Sequence, residues 1–192
     1  MQFSEFDFID SKSFAGKIIL TSFPGLNENG IFEVSHFNNE LNLFKNNNCS
    51  SITSFVEDGE FEKLCDKTLF VKNIYDHKLH WYHLPIYDMG APDKDFKYKW
   101  ETTKVLLKNE LIDGKNIVLH CRGGKGRAGT IAAILLVEFN YPKQEAIDLV
   151  RSRRKGAIES KIQEDFIFAS VSYTHLRAHE TKANLVCRLL LE

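Results

Sequence analysis

The segment that most constrains this chain is Val118-Leu119-His120-Cys121-Arg122-Gly123-Gly124-Lys125-Gly126-Arg127-Ala128-Gly129-Thr130. The short apolar run Asn116 to His120 delivers Cys121 to a turn, and Thr130 to Phe139 beyond it is apolar nearly all round. The first run reads as a buried parallel strand, the second as a helix at the centre of a domain. Gly123, Gly124 and Gly126 let consecutive backbone N–H groups in the turn point inward. The start of the helix adds its positive end. Together these make a nest for a tetrahedral dianion. The same field favours a thiolate, which makes Cys121 a candidate nucleophile. Arg127, six positions later, has a planar fork able to hold two phosphate oxygens at once. A Walker-type nucleotide loop does not fit, because Gly124-Lys125 is followed by Gly126 and position 119 is leucine. An inert buried cysteine is the bland alternative. A His-Cys pair followed after five residues by Arg, between an apolar strand and an apolar helix, is far more specific than a lone cysteine.

The remaining pattern alternates strands and helices. Strands are expected at Lys17 to Thr21, closed by Phe23-Pro24-Gly25, at Ser51 to Val56 and at Trp81 to Ile86, stopped by Asp88-Met89-Gly90. Helices are expected at His36 to Phe44 and Glu60 to Cys65. A long one opens at Pro92, taken as the first helical position, and closes at Gly114. Phe96, Trp100, Leu107 and Leu111 form its apolar stripe. Two more helices are expected, Pro142 to about Arg153 and Ser160 to Ala169. This order implies a single α/β domain with a mainly parallel central sheet flanked by helices. In open α/β sheets, sites lie at the carboxyl ends of strands, which is where His120 to Arg127 falls.

With 192 residues, 43% of them hydrophobic, there is enough chain for one domain with a real core and too little for two ordinary ones. A net charge of -1 gives no reason to expect nucleic acid as a partner. No apolar run approaches 18 residues and the N-terminus lacks the pattern of a secretory signal, so neither stable membrane insertion nor export is expected. Cys49, Cys65, Cys121 and Cys187 form no C-x-x-C pair, which argues against a structural metal or disulfide framework. A cytoplasmic protein with reduced thiols is the expectation. After about Val171 the composition shifts abruptly, and the stretch resembles a translated sequencing read-through. The catalytic domain is therefore assigned to 1–170 and a non-native tail to 171–192.

The loop HCRGGKGRAGT resembles the signature loop of the cysteine-dependent protein-tyrosine and dual-specificity phosphatases. Leu84-Pro85-Ile86-Tyr87-Asp88-Met89-Gly90-Ala91-Pro92-Asp93 is similar to the general-acid loop of one branch, the kinase-associated phosphatase and its bacterial relatives. Ala157-Ile158-Glu159-Ser160, with Gln163 and Phe166, resembles that branch's C-terminal motif. The likeness runs from about Lys17 to Phe168. It implies an enzyme that hydrolyses phosphate monoesters through a cysteinyl-phosphate intermediate, with no cofactor and no metal. Cys121, Arg127, Asp88 and His120 would be catalytic. Arg122, Gly123, Gly124, Lys125, Gly126 and Ala128 would bind the phosphate.

The resemblance implies that Asp88 protonates the leaving group and later activates water. Asp93 is the alternative acid, though acids also favour a helix's first turn. His120 would orient the loop and tune the thiol, or simply pack. Two departures stand out. Ala128 occupies the position where the family usually has a Ser or Thr hydroxyl, and Thr130 lies further into the helix. Glu159 stands where many tyrosine phosphatases have a water-orienting glutamine; Gln163 is a weaker match to a helper role. Arg122 and Lys125 make the loop unusually basic, as in the phosphatase-and-tensin group. Arg151, Arg153, Arg154 and Lys155 form a second basic run. The expected partner is a phosphorylated protein (phosphotyrosine, phosphoserine or phosphothreonine) or another anionic phosphate ester. Alternatives are an inositol phosphate or phosphoinositide, and a non-catalytic phosphate-binding module. A sulfurtransferase or arsenate reductase is disfavoured by an acid at Asp88.

Overall fold

The structure is a computed structural model in which residues 6–170 are described. The tail assigned to 171–192, with Cys187, lies outside the described residues.

The elements in chain order are β1 (Asp7–Ile9), β2 (Ile18–Thr21), α1 (Val34–Asn46), β3 (Cys49–Ser54), α2 (Asp58–Leu64), α3 (Lys67–Asp76), β4 (His80–His83), α4 (Lys94–Ile112), β5 (Asn116–His120), α5 (Gly126–Glu138), α6 (Lys143–Arg153) and α7 (Lys161–Ser170). The strands form one sheet in the order β1-β2-β5-β3-β4. β5 is central and runs parallel to both neighbours, β2 and β3. β4 is parallel to β3, and only β1 is antiparallel. The expected α/β domain with a mainly parallel sheet is what forms.

Strand side chains alternate between two cores, as period two requires. Ile18 and Leu20 of β2 and Ile117 and Leu119 of β5 join the α4–α7 side. Ile19 and Val118 face the other way, with Phe37, Leu41 and Phe44 of α1, Phe61 of α2 and Phe70 and Ile74 of α3. The stripe expected on α4 is buried as read: Phe96, Trp100, Leu107 and Leu111 all enter the first core. α5 is enclosed over nearly its whole length, from Gly126 to Leu136.

Several boundaries differ from expectation. α5 starts at Gly126 rather than Thr130, so Arg127 and Ala128 sit in its first turn. Pro92 is not the first helical residue. Asp93 is the N-cap, accepting from the Phe96 N–H at 2.8 Å, and α4 begins at Lys94. Pro142 likewise takes the N-cap position of α6. β4 ends at His83, but Leu84 and Ile86 still donate to the Ser54 and Phe55 carbonyls, both at 3.0 Å. These bonds lead the chain along the sheet's carboxyl edge to Asp88. Two elements escaped the sequence reading. β1 is three residues long and defined by its register on β2. α3 is capped by Asp66, which accepts from Thr68 and Leu69 N–H groups.

Candidate active site

β5 ends at His120 in the middle of the sheet, so Cys121 emerges at its carboxyl edge. The turn that follows has its carbonyls tied away from its centre. The Arg122 carbonyl accepts from Phe23 N–H at 3.0 Å, and the Lys125 carbonyl from Gly129 N–H at 3.0 Å and Ile158 N–H at 3.3 Å. Arg154 Nη2 donates to the Gly123 carbonyl at 3.1 Å. With the carbonyls turned outward, N–H groups are left to face inward, and the Gly124 N–H lies 3.2 Å from Cys121 Sγ. Gly124 has φ +68, and a Cβ there would collide with the Thr21 carbonyl, so only glycine fits. Gly126, Arg127 and Ala128 then open α5, whose first-turn N–H groups have no carbonyl behind them within the helix. The Cys121 thiol beside this turn is buried.

Arg127 is 2% exposed. Its Nη1 lies 2.5 Å from Glu60 Oε2 and 3.1 Å from the Ile86 carbonyl, and its Nη2 lies 2.9 Å from Glu60 Oε1. Asp88 Oδ1 is 3.1 Å from Nη2. Glu60 also accepts from the Glu57 N–H at 2.9 Å, which fixes the carboxylate at the start of α2. Burial pushes the Glu60 carboxyl upward, but the Arg127 hydrogen bond, the Glu57 N–H and the charges of Arg127 and Arg122 outweigh it. The net result lies below the usual carboxylate range. Asp93, the alternative acid, is engaged as the cap of α4.

His120 is fully buried, with Phe23 edge-on at 5.3 Å and Phe70 at 6.0 Å. Its Nε2 is 2.6 Å from Ser54 Oγ, which accepts from Trp81 Nε1 at 2.8 Å. Indole can only donate, so the Ser54 hydroxyl hydrogen is free to point at His120 Nε2. Nδ1 faces the Cys121 carbonyl at 3.4 Å, which can only accept, so the tautomer consistent with both contacts carries its proton on Nδ1. Burial is the main cause that drives the His120 pKa down, to about 3, so the ring is neutral.

Other expected residues divide. Arg122 and Lys125 are exposed at the rim of the loop, while Gly124, Gly126 and Ala128 are enclosed. Thr130 back-bonds to the Gly126 carbonyl at 2.7 Å and is not a stand-in for the hydroxyl missing at 128. In the second basic run, Arg154 holds Asp7 and Gly123, and Arg151 holds the Ala157 and Ile158 carbonyls and Glu164. Arg154 thus braces the phosphate loop, and Arg151 ties the end of α6 to residues 157–164. The sequence reading missed Glu60, Ser54, Trp81 and the bracing role of Arg154. The one local signal for Glu60 is its place in the first turn of a short helix.

Residues 68–167, more than half of the chain, match the family model for the DSP-PTPase phosphatase domain of the Swiss Army Knife type. The chain is 28% identical over 137 residues to bovine protein tyrosine phosphatase type IVA 3, covering 67% of this chain and 78% of that protein. It is 26% identical over 129 residues to the probable protein tyrosine phosphatase type IVA A of Dictyostelium discoideum, covering 67% and 70%. Among solved structures, it resembles a kinase-associated phosphatase with a TM-score of 0.73 at 21% identity, covering 87% and 93% of the two chains. It resembles the active form of Tk-PTP with a TM-score of 0.65 at 22% identity, covering 88% and 97%. The solved structures share the fold. Family model and curated relatives agree on the chemistry of that fold: the chain belongs to the DSP-PTPase family, and it is a cysteine-dependent phosphatase.

Proposed function

We propose that this phosphatase hydrolyses phosphate monoesters on proteins, with Cys121, Arg127, Asp88 and His120 as its catalytic groups. The observation that carries the assignment is Arg127. Buried at the start of α5, it joins the loop around Cys121 to Asp88 Oδ1 at 3.1 Å. Cys121 Sγ attacks phosphorus, and the bond from phosphorus to the ester oxygen breaks. Asp88 delivers the proton to the departing oxygen. A water then attacks the cysteinyl phosphate, Asp88 takes its proton, the S–P bond breaks and inorganic phosphate leaves. A bound phosphate competes with Asp88 for Arg127 Nη2 and releases the aspartate toward the leaving oxygen. His120 is neutral, and its Nδ1–H on the Cys121 carbonyl holds the loop in shape.

Arg122, Gly123, Gly124, Lys125, Gly126 and Ala128 supply the phosphate cradle, Ala128 through its backbone only, since its side chain is fully enclosed. A protein substrate is supported by the rim. Tyr87 and Met89 flank Asp88 and are 66% and 49% exposed, an apolar surface suited to a peptide beside the phosphorylated residue. A second reading, an inositol phosphate or phosphoinositide substrate, is favoured by exposed Arg122 and Lys125. PTPMT1 in complex with PI(5)P shares the fold, with a TM-score of 0.59 at 17% identity.

The test is kcat/KM over a panel of phosphopeptides and inositol phosphates, with the Cys121→Ser variant for binding. Phosphopeptides are expected to exceed inositol phosphates, and the Ser variant to bind phosphate without turnover. The reverse ranking selects the second reading, and turnover by Cys121→Ser removes Cys121 as nucleophile.

A further inference from the structure

Helix α7 opens with a reciprocal cap. Ser160 Oγ accepts from the Gln163 N–H at 3.2 Å, while Gln163 Oε1 accepts from the Ser160 N–H at 3.3 Å and the Glu159 N–H at 2.9 Å. A cap of this kind uses acceptors only, and aspartate with glutamate would serve it as well as serine with glutamine. The two side chains also carry donors, and both donors reach a different part of the molecule. The Ser160 hydroxyl donates to the Met89 carbonyl at 2.8 Å, and Gln163 Nε2 donates to the Gly90 carbonyl at 3.2 Å. Those carbonyls belong to the two residues that follow Asp88.

On its other side the turn is tied to the phosphate loop's arginine, through Asp88 Oδ1 on Arg127 Nη2 at 3.1 Å and the Ile86 carbonyl on Arg127 Nη1 at 3.1 Å, and a bound phosphate competes for the first of these contacts. The Asp88 side chain is 67% exposed. Met89 sits in the left-handed region at φ 57, where a residue with a side chain needs outside support. Its internal bond is Gly90 N–H to the Tyr87 carbonyl at 2.9 Å. Gln163, in contrast, is fully buried. The absence of a side chain at Gly126 lets it seat there: a Cβ at that position would come within 3.0 Å of Gln163 Nε2. The same stretch of chain also touches the phosphate loop, through Ile158 N–H on the Lys125 carbonyl and Arg154 on the Gly123 carbonyl.

We propose that Ser160 and Gln163 are positioning residues, a latch that sets the turn bearing Asp88 in register with the Cys121 loop. The proposal rests on Asp88 as the general acid. A proton donor works only within hydrogen-bond reach of the departing oxygen, and a displacement of about 1 Å can cost about 10²-fold in rate. Residues 154–163 contact both loops and so keep that distance. The choice of glutamine over glutamate then has a reason that the helix alone does not supply.

The test separates cap from latch. Gln163→Glu and Ser160→Asp retain the capping acceptors and remove the donors. Each is measured with phenyl phosphate, whose leaving group needs a proton, and with 2,4-dinitrophenyl phosphate, whose leaving group does not. The unaltered chain and Asp88→Ala are run alongside. Rates are taken below the melting transition of each variant, because a carboxylate at buried position 163 lowers stability on its own. With the latch as proposed, both variants lose about tenfold or more in kcat/KM on phenyl phosphate and change less than about threefold on the dinitrophenyl ester. The added negative charge acts on both substrates alike, so the ratio of the two rates decides. An unchanged ratio in Gln163→Glu and Ser160→Asp, with a shifted ratio in Asp88→Ala, overturns the latch alone. An unchanged ratio in Asp88→Ala as well overturns the acid assignment and the latch with it.

Discussion

The guanidinium of Arg127 meets the carboxylate of Glu60 end-on, with Nη1 2.5 Å from Oε2 and Nη2 2.9 Å from Oε1. Two parallel charged bonds fix the plane of the guanidinium as well as its position. Arg127 therefore enters the site already oriented, and little ordering remains when phosphate binds.

Replacing Glu60 with Gln leaves one acceptor where Arg127 needs two. The expected result is a fall of about tenfold in kcat/KM, the size of one charged hydrogen bond. Steady-state kinetics with para-nitrophenyl phosphate check it. The same pair has a pH signature. The folded carboxyl of Glu60 titrates below its ordinary range, so its stabilisation is complete above about pH 4.3, where the unfolded group is ionised. It is lost as pH falls through the lower folded value. The gap in melting temperature between the unaltered chain and Glu60→Gln should therefore narrow as pH drops from 7 to 3.

His120 titrates in the opposite chemical sense with the same outcome. Its folded pKa is about 3 against 6.5 for the free ring. Between those values the unfolded chain binds a proton that the folded chain refuses, so stability falls as pH drops below 6.5. His120→Gln keeps an acceptor for the Ser54 hydroxyl and has no charge to take up. Melting curves from pH 7.5 to 5 should be steeper in pH for the unaltered chain than for the variant. Equal slopes would mean that His120 is protonated in its pocket.

What could be read from the chain was local in sequence. The strand, the glycine turn and the apolar helix around Cys121 lie within one continuous segment, so spacing alone brought Cys121 and Arg127 together. Asp88 was reached through the likeness of Leu84 to Asp93 to a general-acid loop, again one continuous segment. Glu60 was not, since it lies 67 positions from Arg127 and nothing in the helix at Asp58–Leu64 announces its partner. Ser54 was hidden for the same reason: its partners, Trp81 and His120, arrive through sheet register. α3 was missed because only Phe70 and Ile74 are buried in it, too few to mark an apolar stripe in a helix of 10 residues. The partners of Ser160 and Gln163 are backbone carbonyls, which every residue carries and no sequence pattern marks.

The assignment of the catalytic domain to 1–170 makes its own prediction. α7 docks through buried Gln163 and Ile167, so a chain cut after Ser170 retains every contact described for the core. It should melt within a few degrees of the full 192 residues and turn over para-nitrophenyl phosphate at the same rate. A large loss of melting temperature, read by calorimetry, would make residues 171–192 structural.

Ala128 bears on the second chemical step. It is fully enclosed in the first turn of α5, one residue after Arg127, and has no side-chain donor. The thiolate leaving phosphorus is better expelled with a hydrogen bond to its sulfur, and Thr130 cannot supply one because its hydroxyl is bonded to the Gly126 carbonyl. The cysteinyl phosphate should therefore accumulate. Serine is the better probe than threonine, since a second added group in an enclosed position risks overpacking. A hydrogen bond to a charged group contributes about 1.5–3 kcal/mol, which corresponds to roughly ten- to hundredfold in rate. In rapid mixing with para-nitrophenyl phosphate, the unaltered chain should release a burst of nitrophenol before slow steady turnover. Ala128→Ser should shorten the burst and raise the steady rate. A chain without a burst, together with a variant no faster than it, would place the slow step at formation of the intermediate and remove Ala128 from the account.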